Sequence, residues 1–236
     1  MSAIATSRRI RRAAPIVLVV ALGAALSACG SSSSSASSTT TTTSGSSGSV
    51  ASQVASLTSL SQNAKSASFQ AVYTLTESGK TSTITLSQTP PKYLFKTSDG
   101  VLLLDDGTNA YYCGSDKKCL QMSGSNPLAA ELSLFNGTTF QSVARGYAVA
   151  SSVLSMLHVD VSFSNATYGG QSSQCMKITY TKTSTSATYC VSSTGVLTYW
   201  SAGTTTFTLT SFSSSPPSSD YVLPSGYTAV TVPSVG

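Results

Sequence analysis

Apolar residues at Val50, Val54, Leu57 and Leu60 recur at helical spacing, so residues 50–64 are expected to form an amphipathic helix. From Phe69 the period drops to two. Phe69, Ala71, Tyr73 and Leu75 alternate with polar residues as far as a turn at Ser78-Gly79. Ile84 and Leu86 continue the alternation on a second strand that stops at Pro90-Pro91. Three shorter strands are expected at Tyr93–Lys96, Val101–Leu104 and Asn109–Tyr112, with Asp99-Gly100 and Asp106-Gly107 as hairpin turns.

A helical block interrupts the strands. Asn126-Pro127 supplies an N-cap with proline at the first helical position, and this short helix breaks at Asn136-Gly137. A longer helix starts near Thr138, with Phe140, Val143, Tyr147 and Leu154 on one face. From Tyr147 onward, Val149, Val153, Met156 and Leu157 spread apolar residues around the circumference, so the helix needs cover on more than one side. Core burial satisfies that need, and so does a lid with sheet beneath it and an apolar ligand beside it.

After His158, strands are expected at Val159–Ser164, Gln174–Thr181, Ala187–Ser192, Val196–Trp200 and Thr205–Phe212. A proline-containing tail from Pro216 to Pro233 keeps Tyr221, Val222, Leu223 and Tyr227 for packing along an edge. The whole is an α+β domain of about ten strands with a helical insert, spanning residues 50–236.

Five cysteines are present, and four of them, Cys113, Cys119, Cys175 and Cys190, fall within this domain. Proximity favours Cys113–Cys119 and Cys175–Cys190 among the three pairings. A hairpin centred between Lys182 and Thr183 sets Cys175 opposite Cys190, Met176 opposite Tyr189, Ile178 opposite Ala187 and Tyr180 opposite Thr185. The same register sorts apolar from polar residues, and a slip of one residue would lose that sorting. Structural zinc is the rival reading, but it would need an all-cysteine site without C-x-x-C spacing.

Composition changes the picture in two ways. Only 9% of residues are charged, against roughly 25% in an ordinary soluble domain, and serine with threonine makes up about a third of the chain. The formal charge of +5 is concentrated ahead of the fold: without Arg8, Arg9, Arg11 and Arg12, nine basic residues face eight acidic ones. A nucleic-acid partner, which needs a basic stripe, is not expected.

Residues 1–28 read as a lipoprotein signal. The four arginines precede an apolar run from Ala13 to Leu26, too short for a comfortable membrane span. Leu26-Ser27-Ala28-Cys29 follows, so Cys29 is expected to carry the acyl chains that hold the protein to the extracytoplasmic face of the cell membrane. Residues 29–49, almost all Ser, Thr, Gly and Ala, form a disordered tether or a glycosylated stalk.

Catalytic constellations are weak. His158 is the single histidine, and no nucleophile elbow accompanies it. Asp105-Asp106-Gly107-Thr108-Asn109 has the wrong spacing for an EF-hand and reads as a turn. No enzyme, metal or cofactor is expected.

The lipobox, the tether, Asp106-Gly107, Tyr111-Tyr112-Cys113, Cys119, the cysteine-stapled hairpin, Thr194-Gly195-Val196-Leu197 and the closing Tyr221-Val222-Leu223-Pro224-Ser225-Gly226-Tyr227 together resemble the actinobacterial lipoproteins with the fold of the outer-membrane lipoprotein carrier proteins. The resemblance implies a strongly curved, mostly antiparallel sheet, an open half-barrel whose concave face is capped by helices. It also implies binding and transport of a lipid or lipidated molecule in an apolar cavity, with a transporter or acceptor protein as a further partner. The candidate cavity wall comprises Phe69, Tyr73, Leu75, Ile84, Leu86 and Met176. Ile178, Tyr180, Leu197, Tyr199, Phe207 and Leu209 continue it. Phe140, Val143, Tyr147, Leu154 and Leu157 are the candidate lid. The competing expectation is a surface protein-binding or sensor module with a filled core. Either would act as a monomer.

Overall fold

The computed structural model describes residues 49–123 and 158–231. The expected lipoprotein signal, Cys29, the expected tether, the expected helical block and the candidate lid residues Phe140, Val143, Tyr147, Leu154 and Leu157 lie outside the described residues. One helix, α1 (Val50–Asn63), precedes six strands: β1 (Phe69–Glu77), β2 (Lys80–Thr89), β3 (Lys92–Thr97), β4 (Leu102–Asp105), β5 (Asn109–Cys113) and β6 (Lys118–Ser123). Six more follow: β7 (Val159–Tyr168), β8 (Gln171–Tyr180), β9 (Thr185–Ser192), β10 (Leu197–Ala202), β11 (Thr205–Ser213) and β12 (Thr228–Thr231).

All twelve strands join one open sheet in the order β12-β6-β5-β4-β3-β2-β1-β11-β10-β9-β8-β7. Ten expected strands thus become twelve, because β6 and β12 carried no recognisable alternation. β6 opens on the Lys117-Lys118 turn, and β12 is four residues at the end of a proline-containing tail. Every neighbouring pair runs antiparallel except β12 on β6.

The registers divide the sheet into two faces. Phe69, Ala71 and Tyr73 of β1 share one face with Leu86 and Ile84 of β2 and with Phe207 and Leu209 of β11, and they form one buried cluster. Tyr73 stacks on Phe207 with ring centroids 4.2 Å apart. α1 lies on the same face farther along, where Val54 and Leu57 pack on Val159, Met176, Ile178 and Val191. These are positions of the helical stripe expected from the sequence.

The helix is tied at both ends. The Ser49 hydroxyl accepts from the Ser52 N–H at 3.3 Å, an N-cap. At the other end the buried Gln88 amide of β2 donates to the carbonyls of Ala64 and Ala67 at 2.6 and 2.8 Å. Asn63 donates to the Ser193 carbonyl at 3.0 Å.

The opposite face carries a strap. Asp220 accepts from Gln70 at 2.6 Å and from the Ser87 hydroxyl. The Tyr221 hydroxyl lies 2.9 Å from that of Thr89. Leu223 and Tyr227 then cover Leu94, Leu102, Leu104 and the Cys113–Cys119 disulfide before β12 docks on β6. The tail therefore crosses a face of the sheet, and only its end packs along an edge as the sequence suggested.

Candidate functional site

Cys113 bonds Cys119, and Cys175 bonds Cys190. In the β8–β9 hairpin Cys175 faces Cys190, Met176 faces Tyr189, Ile178 faces Ala187 and Tyr180 faces Thr185, the register expected from the pairing. Disulfides persist in oxidising compartments, the setting expected from the sequence. No described helix is long and apolar enough to cross a membrane.

The nominated wall residues divide among several settings. Phe69, Tyr73, Ile84, Leu86, Leu197, Phe207 and Leu209 are buried in one cluster with Leu75 at its rim. Met176 and Ile178 are buried beneath α1. Burial pushes the Tyr73 hydroxyl pKa far up, so it stays neutral. Tyr180 is 41% exposed at the end of β8.

Tyr199 belongs to the other face. The register of β10 against β9 shifts between Leu197 and Tyr199, so Leu197 and Trp200 share the apolar face and Tyr199 turns away. The extra residue, Thr198, is fully buried and held by hydrogen bonds to Ser173 at 2.7 Å and to the Cys190 carbonyl at 3.2 Å. Turned away, Tyr199 stacks on Tyr168 at 4.8 Å.

Asp105 and Asp106 build the expected turn. Asp106 accepts from the N–H groups of Thr108 and Asn109, both at 2.8 Å, and Asp105 accepts from the Gly107 N–H at 2.7 Å. Burial raises the Asp105 pKa, opposed by the Gly107 hydrogen bond and assisted by the neighbouring Asp106 charge. Burial also acts upward on Asp106, but hydrogen bonds from Asn109, Thr108 and Tyr111 outweigh it and hold that carboxyl below the usual range. His158 is exposed in the turn before β7, at φ 56°, and its carbonyl accepts from the Thr181 N–H at 2.8 Å.

One arrangement was not foreseen. On the apolar face, Leu86, Phe95, Leu103, Tyr112, Leu120 and Val230 are successive cross-strand partners from β2 to β12. The row starts in the core, where Leu86 is buried, and runs out into solvent: Tyr112 is 46% exposed, Leu120 51% and Val230 59%. The Cys113–Cys119 pairing already places Tyr112 opposite Leu120, so two of the three exposed residues are legible from the cysteine spacing.

No family model matches the chain, and no curated protein matches it. Solved structures that align include a crystal structure of MucB, at 14% identity and a TM-score of 0.42, covering 70% of this chain and 59% of that one. The Pseudomonas aeruginosa MucA/MucB complex aligns at 14% identity and a TM-score of 0.45, covering 75% and 62%. MucB in complex with MucA(peri) aligns at 15% identity and a TM-score of 0.40, covering 77% and 62%. The chain thus spans about six tenths of the length of these structures, and likeness at this level carries no activity or partner across. The placement among actinobacterial carrier-like lipoproteins is corrected accordingly. Its motifs are short turn and cysteine patterns, and no family model or curated protein supports it.

Proposed function

We propose that the protein is an extracytoplasmic, membrane-anchored module that binds a partner protein through the outer end of its apolar face. The row from Leu86 to Val230 carries this reading. Large apolar side chains standing together in solvent mark interaction surfaces, whereas scattered ones do not. The exposed end runs across three strands and finishes at a sheet edge. An acyl chain needs enclosure to leave water, whereas a stripe open at its margin suits the surface of another protein. The nominated lipid wall is largely packed on itself and on α1, which favours binding at the surface over carriage inside. The module acts by binding rather than catalysis. Cys29 is the anchor.

The test compares cross-linked and native mass spectra of wild type and a Tyr112→Ser/Leu120→Lys variant, both extracted from membranes. A protein adduct present in wild type and lost in the variant is expected. Lipid bound at unit stoichiometry in both, with no protein adduct in either, would overturn the reading in favour of carriage. Cys29→Ser should move the folded protein to the soluble fraction, and membrane retention of the processed variant would refute the anchor.

A further inference from the structure

Strand β7 ends the sheet with its outer edge unpaired among the described residues. It is ten residues long and pairs with β8 over its whole length without a register shift. Sheet proteins normally blunt such edges with short strands, lysine, proline or a bulge. β7, Val-Asp-Val-Ser-Phe-Ser-Asn-Ala-Thr-Tyr, has none of these, and its single charge is Asp160. The opposite edge, β12, is only four residues long.

The direction of the backbone groups follows from one hydrogen bond. The His158 carbonyl accepts from the Thr181 N–H at 2.8 Å, so even-numbered positions of β7 turn their backbone groups inward to β8. Alternation then turns those of Val161, Phe163, Asn165 and Thr167 outward. A ladder of outward N–H and C=O groups is matched by another extended polypeptide, which offers the complementary groups at the same spacing.

We propose that this polypeptide is β7 of a second copy of the chain, paired antiparallel about a two-fold axis at Ser162. Residues paired across a continuous sheet must share a face, which restricts self-pairing to registers centred on a residue. The register centred on Ser162 is the longest that sets both Val161 and Phe163 opposite an apolar side chain. Val161 meets Phe163 of the second copy, and Asp160 meets Ser164. Like charges would face each other only if the axis passed through Asp160. Val161 and Phe163 sit at the rim of the cluster beneath α1, so their pairing joins the two cores along one face. On the other face Asp160, Ser162 and Ser164 are exposed, and they fall at non-hydrogen-bonded positions where Cα atoms approach to about 4.5 Å. The contact is isologous, as two-fold dimers require. It uses a different edge from the partner-binding stripe and does not depend on that reading.

Sedimentation velocity on the detergent-extracted full chain should give a protein mass twice that of one chain. Ser162→Lys sets two ammonium groups opposite each other on an exposed position and should halve that mass with unchanged circular dichroism. Ser162→Cys should give a disulfide-linked dimer on non-reducing gels. Ser164→Cys alone should not, but mixed with Asp160→Cys it should. A monomeric wild type, a Ser162→Lys variant that stays dimeric, or a Ser162→Cys variant that does not cross-link would each overturn the proposal.

Discussion

Replacing Gly195 with alanine should loosen the docking of α1. Gly195 lies in the β9–β10 turn at φ +82°, and a Cβ there would stand 2.5 Å from both the Ala64 nitrogen and the Leu60 carbonyl oxygen. Both are backbone atoms of the last helical turn and its cap, so no side chain can swing aside. Neither partner yields easily. Ser192 holds the turn through Gly195 N–H to its carbonyl at 2.9 Å and Val196 N–H to its hydroxyl at 3.2 Å. Gln88 and Asn63 pin the helix end. The left-handed backbone conformation alone costs alanine about 1 kcal/mol relative to glycine. Overpacking against fixed atoms adds about 1–3 kcal/mol.

Gly79→Ala isolates the first contribution, because Gly79 has nearly the same φ, +81°, with nothing within 4 Å of its Cβ position. Urea unfolding of the disulfide-intact protein, followed by the fluorescence of the single tryptophan, Trp200, measures both. With a slope of about 2 kcal/mol/M, Gly79→Ala should lower the midpoint by about 0.5 M and Gly195→Ala by about 1–2 M. Equal shifts in the two variants would refute the close contact between the turn and the helix end.

Two further outcomes are expected. Replacing Cys175 and Cys190 by alanine should cost about 3 kcal/mol, and replacing Cys113 and Cys119 about 2 kcal/mol because the shorter loop restrains the unfolded chain less; urea midpoints check both. Asp105 and Asp106 should give opposite pH signatures. The lowered Asp106 pKa contributes stability above the unfolded-state value that is lost as pH falls through the folded-state value, so Asp106→Asn should destabilise at pH 7 and converge on wild type in acid. The raised Asp105 pKa costs stability at neutral pH that is regained on acidification, so Asp105→Asn should match or exceed wild type at pH 7 when unfolding is followed across the acid range.

What the sequence disclosed depended on whether a local constraint pinned the period. The β8–β9 hairpin was legible pair by pair, since two cysteines and a two-residue periodicity agreed on one register. The same periodicity misplaced Tyr199, because a bulge at Thr198 inserts a residue that no local pattern announces; one of the hydrogen bonds that secure it reaches Ser173 on β8, 25 residues away. β12 was illegible for a related reason. A four-residue strand pairing in parallel with a segment about a hundred residues earlier has no turn or alternation to reveal it. The patch of Tyr112, Leu120 and Val230 inherited that blindness, since Val230 joins it only through the β6–β12 pairing. The close approach at Gly195 is likewise long-range: the turn motif predicts a glycine conformation, and the helix against it comes from tertiary packing.

The scarcity of charge has a structural counterpart on the face opposite α1. Thr81, Thr76, Thr206, Ser201 and Thr188 are cross-strand neighbours in one row from β2 to β9, and Thr83, Thr74 and Thr208 form a parallel row beside it. Threonine combines strand propensity with a hydroxyl that water can satisfy, so this face is wetted without lysine or glutamate. The arrangement leaves the molecule little charge with which to repel neighbours at its edges. At β7 a single carboxylate guards ten residues, and at the Leu120 stripe the nearest charge in register is Lys118, two positions along β6. Contacts at both places would then be governed by backbone pairing and apolar burial. Screening weakens charge interactions and leaves those two contributions intact, so association at either place should persist between low and physiological salt.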